Sequence, residues 1–255
     1  MLLRLMIEYR PNDKRAKVLQ GLVADGVFES PGAALDDAVD NYLSGLRQRQ
    51  PRGGFAIDPH PADNGAYRTQ EQWIAFFNEQ QRRMISAADV YRKGKSAPDE
   101  VLQSLKGDFD KSWLVSSTRN SYSGDDLSGI VTQNYGSGVV TPSRRNVSVI
   151  PVYNGTPLAQ ALETKEGLDY LQALFDTTDD RDAITGTLEN LSGRSADNIF
   201  LWTPEQDYRK RYPERAVGFD GRGGRFHVDG SNHFALDFGL SRGVSVSPRS
   251  GRAKK

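Results

Sequence analysis

Leu3, Leu5, Ile7 and Tyr9 alternate with Arg4, Met6, Glu8 and Arg10 at the start of the chain. A period of two predicts a half-buried strand over residues 3–9. Pro11-Asn12-Asp13 turns the chain and offers a helix cap. Val18, Leu19, Leu22 and Val23 then share one helical face, and Gly26 sits where a left-handed C-terminal residue belongs. Ser30-Pro31 opens a second helix, serine as N-cap and proline as first helical residue. Its apolar stripe runs through Ala34, Leu35, Ala38, Val39, Tyr42, Leu43 and Leu46.

Prolines and glycines crowd residues 50–66, which predicts a linker or long loop. Trp73, Ile74, Phe76, Phe77, Met84 and Ile85 then predict one long helix from about Thr69 to Arg92, followed by a shorter one from Pro98 to about Leu105. Strands are expected over 112–117, 129–133 and 147–153, with Ser123-Gly124-Asp125-Asp126 as an intervening turn. Helices return over 165–176 and 180–191, where Asp179, Asp180 and Asp182 suit a helix N-terminus. Residues 198–202 read as a buried strand, and 205–245 as a loop-rich β region. The fold class expected is α+β: residues 1–48 as one module, 49–66 as linker, 67–245 as a mixed domain and 246–255 as a basic tail.

Composition narrows the chemistry. The absence of cysteine excludes disulfides, thiolate metal sites and a cysteine nucleophile. No apolar run approaches the roughly 18 residues that span a bilayer. Arg4 and Glu8 interrupt the apolar N-terminus, unlike a secretory signal, so no membrane association and a cytoplasmic location are expected. The zero net charge hides an uneven distribution. Residues 151–204 carry three basic and nine acidic side chains, whereas residues 205–255 carry eleven and six. The tail bearing Arg249, Arg252, Lys254 and Lys255 has little to bury and is expected to be disordered, either solubilising or holding a phosphate backbone or an acidic partner.

Strand, turn, helix, a short turn through Leu22-Val23-Ala24-Asp25-Gly26-Val27-Phe28-Glu29-Ser30 and a Ser-capped second helix: this order resembles the ribbon-helix-helix family of DNA-binding domains, over about a fifth of the chain. The resemblance implies a homodimer in which two first strands pair into an antiparallel ribbon that enters the major groove. It implies Leu3, Leu5, Ile7 and Tyr9 as the core face and Arg4, Met6, Glu8 and Arg10 as the reading face. Ser30 and the amides of Gly32 and Ala33 would hold a phosphate. The function expected is a homodimeric DNA-binding regulator, of transcriptional or plasmid-maintenance type. The same residues also suit a module that only dimerises.

The alternative is an enzyme acting on a nucleotide or nucleic acid through the C-terminal domain. His227 and His233, with Asp229, Asp237 and Arg225, are its candidate groups; a His/carboxylate metal set is conceivable, although the spacing matches no metal motif. His60 reads as a loop residue. Gly221-Arg222-Gly223-Gly224-Arg225 lacks the flanking strand and helix of a phosphate loop and reads as a turn. No cofactor is implied. Arg209, Lys210, Arg211 and Arg215 interleave with Tyr208 and Tyr212, a pattern that suits base stacking with phosphate contact, or else a solvated helix face.

Overall fold

The computed structural model describes residues 55–246. The strand, the two helices and the ribbon-helix-helix module expected within residues 1–48, and the tail beyond 246, lie outside the described residues. So do the expected DNA contacts Arg4, Met6, Glu8, Arg10, Ser30 and Gly32.

The described residues form a mixed α+β fold. They open with β1 (Phe55–Ile57), inside the stretch read as linker, then α1 (Gln70–Glu79), β2 (Arg83–Met84), α2 (Ala87–Gly94) and α3 (Glu100–Lys111). Four strands follow: β3 (Leu114–Tyr122), β4 (Gly129–Gln133), β5 (Ser143–Val147) and β6 (Asn154–Pro157). Next come α4 (Leu158–Ala161), α5 (Lys165–Phe175), α6 (Arg181–Ser192), β7 (Ile199–Trp202) and α7 (Gln206–Arg211). The order ends with β8 (Glu214–Asp220), β9 (Phe226–Asn232) and β10 (Gly243–Val246). Seven strands form one sheet in the order β5-β4-β3-β8-β9-β7-β6, antiparallel except for the parallel pair β7–β9. A small sheet, β1-β10-β2, joins the two ends of the described chain.

Local chemistry sets the helix starts. Thr69 and Ser86 form capping boxes with Gln72 and Asp89, and Asp99, Thr164 and Asp180 cap α3, α5 and α6. Each cap satisfies an amide that lacks an intrahelical partner. Apolar faces of α2, α3, α5 and α6 (Val90, Leu105, Leu171, Leu188) pack on Leu114, Val217, Phe219 and Val228 of the large sheet. Trp73 and Phe77 of α1 form a second cluster with Met84 and Val115. Consecutive residues Leu114 and Val115 thus serve separate cores, as a strand's alternation requires.

The long helix expected over 69–92 is two helices. Gln81 adopts a left-handed conformation (φ 52°), and Arg83–Met84 pair with β10 before Ser86 caps α2. Residues 78–83 are polar and lack strong breakers, and Met84 falls seven residues after Phe77, so the helical period runs unbroken through a non-helical stretch. The expected helix 98–105 instead runs to Lys111, because Phe109 continues its buried face. The strand expected at 147–153 is displaced: β5 covers 143–147 and β6 begins at 154. β5 is an edge strand with two exposed positions and so lacks apolar alternation. Among the described residues, no helix is long and apolar enough to cross a membrane.

Arg242, just before β10, holds the two ends of the described chain against α3. Its guanidinium is fully buried, and its Nε donates to Asp108 at 2.8 Å while Nη2 also bonds this carboxylate. Nη1 reaches the Asp58 carbonyl at 2.8 Å and Nη2 the Ser104 hydroxyl at 2.8 Å. Removing one member of such a pair strands a buried charge. Asp108→Ala should therefore lower unfolding free energy by about 3–5 kcal/mol in urea titrations at neutral pH; a change under about 1 kcal/mol would refute that role for the pair.

Candidate functional site

The one parallel pair of the large sheet brings aromatic and ionisable side chains together. Ile199, Leu201, Phe226 and Val228 face the main core, so their neighbours Phe200, Trp202, His227 and Asp229 face the other way. The register pairs Phe200 with His227 and Trp202 with Asp229. The three rings form a row: Phe200 meets His227 edge-on at 5.9 Å between centroids, and Trp202 stacks on His227 at 6.1 Å. Exposed Arg225 lies over Phe200 at 5.2 Å. On the neighbouring strand Asp220 pairs with His227 and Gly218 with Asp229. Arg222 grips the Asp220 carboxylate through two hydrogen bonds of 2.9 and 3.0 Å. The His227 pKa lies below its ordinary value because burial disfavours the imidazolium; Arg225 and Arg222 add to the effect while Asp220 opposes it.

Asp229 is buried, and its pKa is pushed up to about 6, chiefly by desolvation. The amide and hydroxyl of Ser231 both donate to its Oδ1 at 2.6 Å and offset part of that rise. Between them, a Cβ on Gly230 would come within 2.5 Å of the Asn120 side chain and 2.7 Å of the Tyr170 hydroxyl. Glycine thus lets β9 approach a buried polar cluster. Tyr122 donates to the Gly230 carbonyl at 2.8 Å, and Asn120 donates to the Tyr122 and Tyr170 hydroxyls at 3.0 Å each. Burial holds both phenols protonated by raising their pKa.

A groove of about 370 Å³ opens beside this region, lined by Tyr153, Asn154, Trp202, Thr203, Pro204, Glu205, Tyr208 and Ser231. Gly155 shapes one side: its φ of +68° suits glycine, and a Cβ there would approach the Trp202 ring to 3.0 Å. The buried indole N–H of Trp202 has no acceptor. Arg215 contacts Tyr208 of this lining, its guanidinium 4.7 Å from that ring and 5.1 Å from Tyr212. It is 1% exposed and its Nε and Nη2 have no partner.

His227 and Asp229 therefore share one sheet face. His233 lies past the end of β9, where its amide donates to Asp237 and its Nδ1 accepts from the Ala235 amide at 3.2 Å. His233 and Asp237 border a separate cavity of about 10 Å³ with Trp113 and Gly218. Among the described residues, no three or more histidines and carboxylates gather as metal ligands, so the conceivable set His227, His233, Asp229 and Asp237 does not assemble. His60 lines another open depression with Asp58, Asp63 and Arg82.

The basic-aromatic segment divides. Arg209 and Arg215 are buried, while Lys210 and Arg211 are exposed. Sequence reasoning singled out His227 and Asp229 but missed Phe200, Trp202, Ser231 and Asp220. An apolar run of Ile199-Phe200-Leu201-Trp202 reads as buried on both faces, and only the pairing with β9 reveals which side carries the rings.

Asp229 gives a signed pH dependence. Its folded pKa exceeds the ordinary 3.8, so its stabilisation is complete below about pH 4 and is lost as pH rises through about 6. Asp229→Asn keeps the Oδ1 acceptor for Ser231 and removes this loss. The stability difference between variant and wild type should grow from near zero at pH 4 to about 3 kcal/mol in the variant's favour at pH 7. Parallel denaturant melts across that range read it out, and a pH-independent difference would contradict the assignment. Comparison of the chain with family models, with curated proteins and with solved structures finds no match.

Proposed function

We propose that the protein is a homodimeric DNA-binding regulator whose domain of residues 55–246 adds a nucleotide-contacting surface. Residues 1–48 act as a ribbon-helix-helix-like module, with Arg4, Met6, Glu8 and Arg10 toward base edges and Ser30 and Gly32 at a phosphate. The observation that carries the nucleic-acid reading within residues 55–246 is the row of Phe200, His227 and Trp202 rings on adjacent strands, with exposed Arg225 beside it. Base stacking on such rings contributes about 1–3 kcal/mol per base and tolerates any sequence.

Fluorescence anisotropy of the full chain with labelled duplex fragments and single-stranded oligonucleotides tests the proposal. Duplex affinity should fall steeply between about 50 and 200 mM salt, because bound cations release counterions. Arg4→Ala with Arg10→Ala should weaken duplex binding about tenfold or more while sedimentation still reports a dimer. Phe200→Ala should weaken single-strand binding by about fivefold or more. Absent or salt-independent binding to both nucleic acids would reject the reading.

A second reading, an enzyme acting on a nucleotide or nucleic acid, draws on His227 lying between Asp220 and Asp229 on one face. An Asp229 pKa near 6 suits proton transfer at neutral pH. It requires turnover of an oligonucleotide or nucleotide that His227→Ala abolishes.

A further inference from the structure

We infer that the groove between Tyr153, Trp202 and Tyr208 binds a small planar ligand carrying an anionic group, with Trp202 as ring platform and Arg215 as anion anchor. The inference stands apart from DNA reading by residues 1–48. It assigns residues 55–246 an effector site.

Arg215 has fewer hydrogen bonds than the other buried arginines; Arg119, on the neighbouring strand, bonds Gln70 and Glu214 and leaves only Nη2 unpaired. Arg209 donates to the carbonyls of Pro204, Ile150 and Pro151 at 2.7–3.0 Å, which accounts for all three of its nitrogens. Arg242 is matched by the Asp108 carboxylate. Arg215 makes one hydrogen bond, from Nη1 to the Glu214 carbonyl at 3.2 Å, and leaves Nε and Nη2 unpaired at 1% exposure. Asp237 acts on it electrostatically but makes no hydrogen bond to it, its carboxylate accepting instead from the His233 amide. A desolvated cation with free donors is costly until an anion meets it. Burial already lowers the Arg215 pKa, which reflects that cost.

Tyr208 links the groove to that cation: it lines the groove, its ring lies 4.7 Å from the guanidinium, and it is 49% exposed. Ligand contact with Arg215 requires Tyr208 to turn aside, a rotamer change open to an exposed side chain. Trp202 supplies a ring and an indole N–H that lacks an acceptor. A ligand with a planar ring, a ring acceptor and an anionic oxygen group would meet both unsatisfied donors. Glu205, the acidic residue among the lining, is exposed. The volume of about 370 Å³ lies in the usual range for small-molecule sites.

Tryptophan fluorescence of the full chain, titrated with AMP, 4-hydroxybenzoate, adenosine and inorganic phosphate, tests the inference and separates phosphate from carboxylate ligands. Saturable binding of AMP or 4-hydroxybenzoate is expected, with adenosine and phosphate at least about tenfold weaker than the anion-bearing ring that binds. Arg215→Gln should weaken that ligand by about tenfold or more. Should this variant fail to fold, Trp202→Ala alters a partly exposed groove residue. Loss of ligand-induced thermal stabilisation in a folded Trp202→Ala then supports the site. No saturable binding by the wild type, adenosine binding equal to AMP, or unchanged ligand affinity in Arg215→Gln or Trp202→Ala would overturn it. The Arg4→Ala/Arg10→Ala variant should bind the small ligand as the wild type does, which separates this outcome from failure of DNA binding.

Discussion

β3, an interior strand of the large sheet, buries polar side chains where apolar ones would be expected, and much of the architecture satisfies them. Ser116, Ser117, Thr118, Arg119 and Asn120 are each at most 2% exposed. Pairing with β8 shifts register between Val115 and Arg119, so this stretch leaves the regular ladder. Gln70 at the start of α1 donates to the carbonyls of Ser116 and Thr118 at 2.7 and 2.8 Å, and its own oxygen accepts from Arg119 Nε at 2.9 Å. Thr118 bonds Gln133 at 2.6 Å and accepts from the amide of Ala87 at 2.8 Å. The Ser117 amide donates to the Ile85 carbonyl at 2.7 Å. An unsatisfied buried group costs about 1–3 kcal/mol, so each bond constrains where α1, α2 and β4 sit. The irregular strand and the elements packed around it are mutually dependent.

The same device positions the candidate site. Pairing of β8 with β9 shifts between Ala216 and Gly218, next to Asp229, Gly230 and Ser231. Pairing of β6 with β7 shifts between Asn154 and Thr156, where Gly155 faces Trp202. A bulge inserts backbone without a ladder partner and redirects nearby side chains. Two such irregularities border the groove, while the β7–β9 pairing that carries the rings is regular. Gly230 brings β9 against Asn120, Tyr122 and Tyr170, coupling the site's rear wall to the polar strand β3.

What was legible in the sequence follows from how local each determinant is. Helices expected over 165–176 and 180–191 form as Lys165–Phe175 and Arg181–Ser192, because Thr164 and Asp180 cap them and an apolar stripe runs through each. The strand expected over 198–202 forms as Ile199–Trp202. β3 was expected only as far as residue 117, because Thr118-Arg119-Asn120 looks like a surface until Gln70, Gln133, Glu214 and Tyr170 are brought to it from distant positions. The pairing of His227 and Asp229 was legible by alternation along one strand. Their aromatic neighbours depend on parallel pairing across the sheet, which no local pattern encodes.

The arginines in and just after α7 illustrate how little residue type alone decides. Tyr208-Arg209-Lys210-Arg211-Tyr212 reads as one basic-aromatic cluster. The α7 turn separates its cations by roughly 100° per residue, so Arg209 points into the protein while Lys210 and Arg211 remain outside. Arg209 then joins Pro204 to the segment Ile150–Pro151 and lies 4.6 Å over Tyr122, a structural clamp made from carbonyls and a ring. Arg215, four residues beyond Arg211, inherits the rings of Tyr208 and Tyr212 but almost none of the carbonyls. Stacking on two rings stabilises a guanidinium without using its in-plane donors. Those donors therefore stay unpaired, and the difference between the clamped Arg209 and the unpaired Arg215 is set by backbone oxygens rather than by charge.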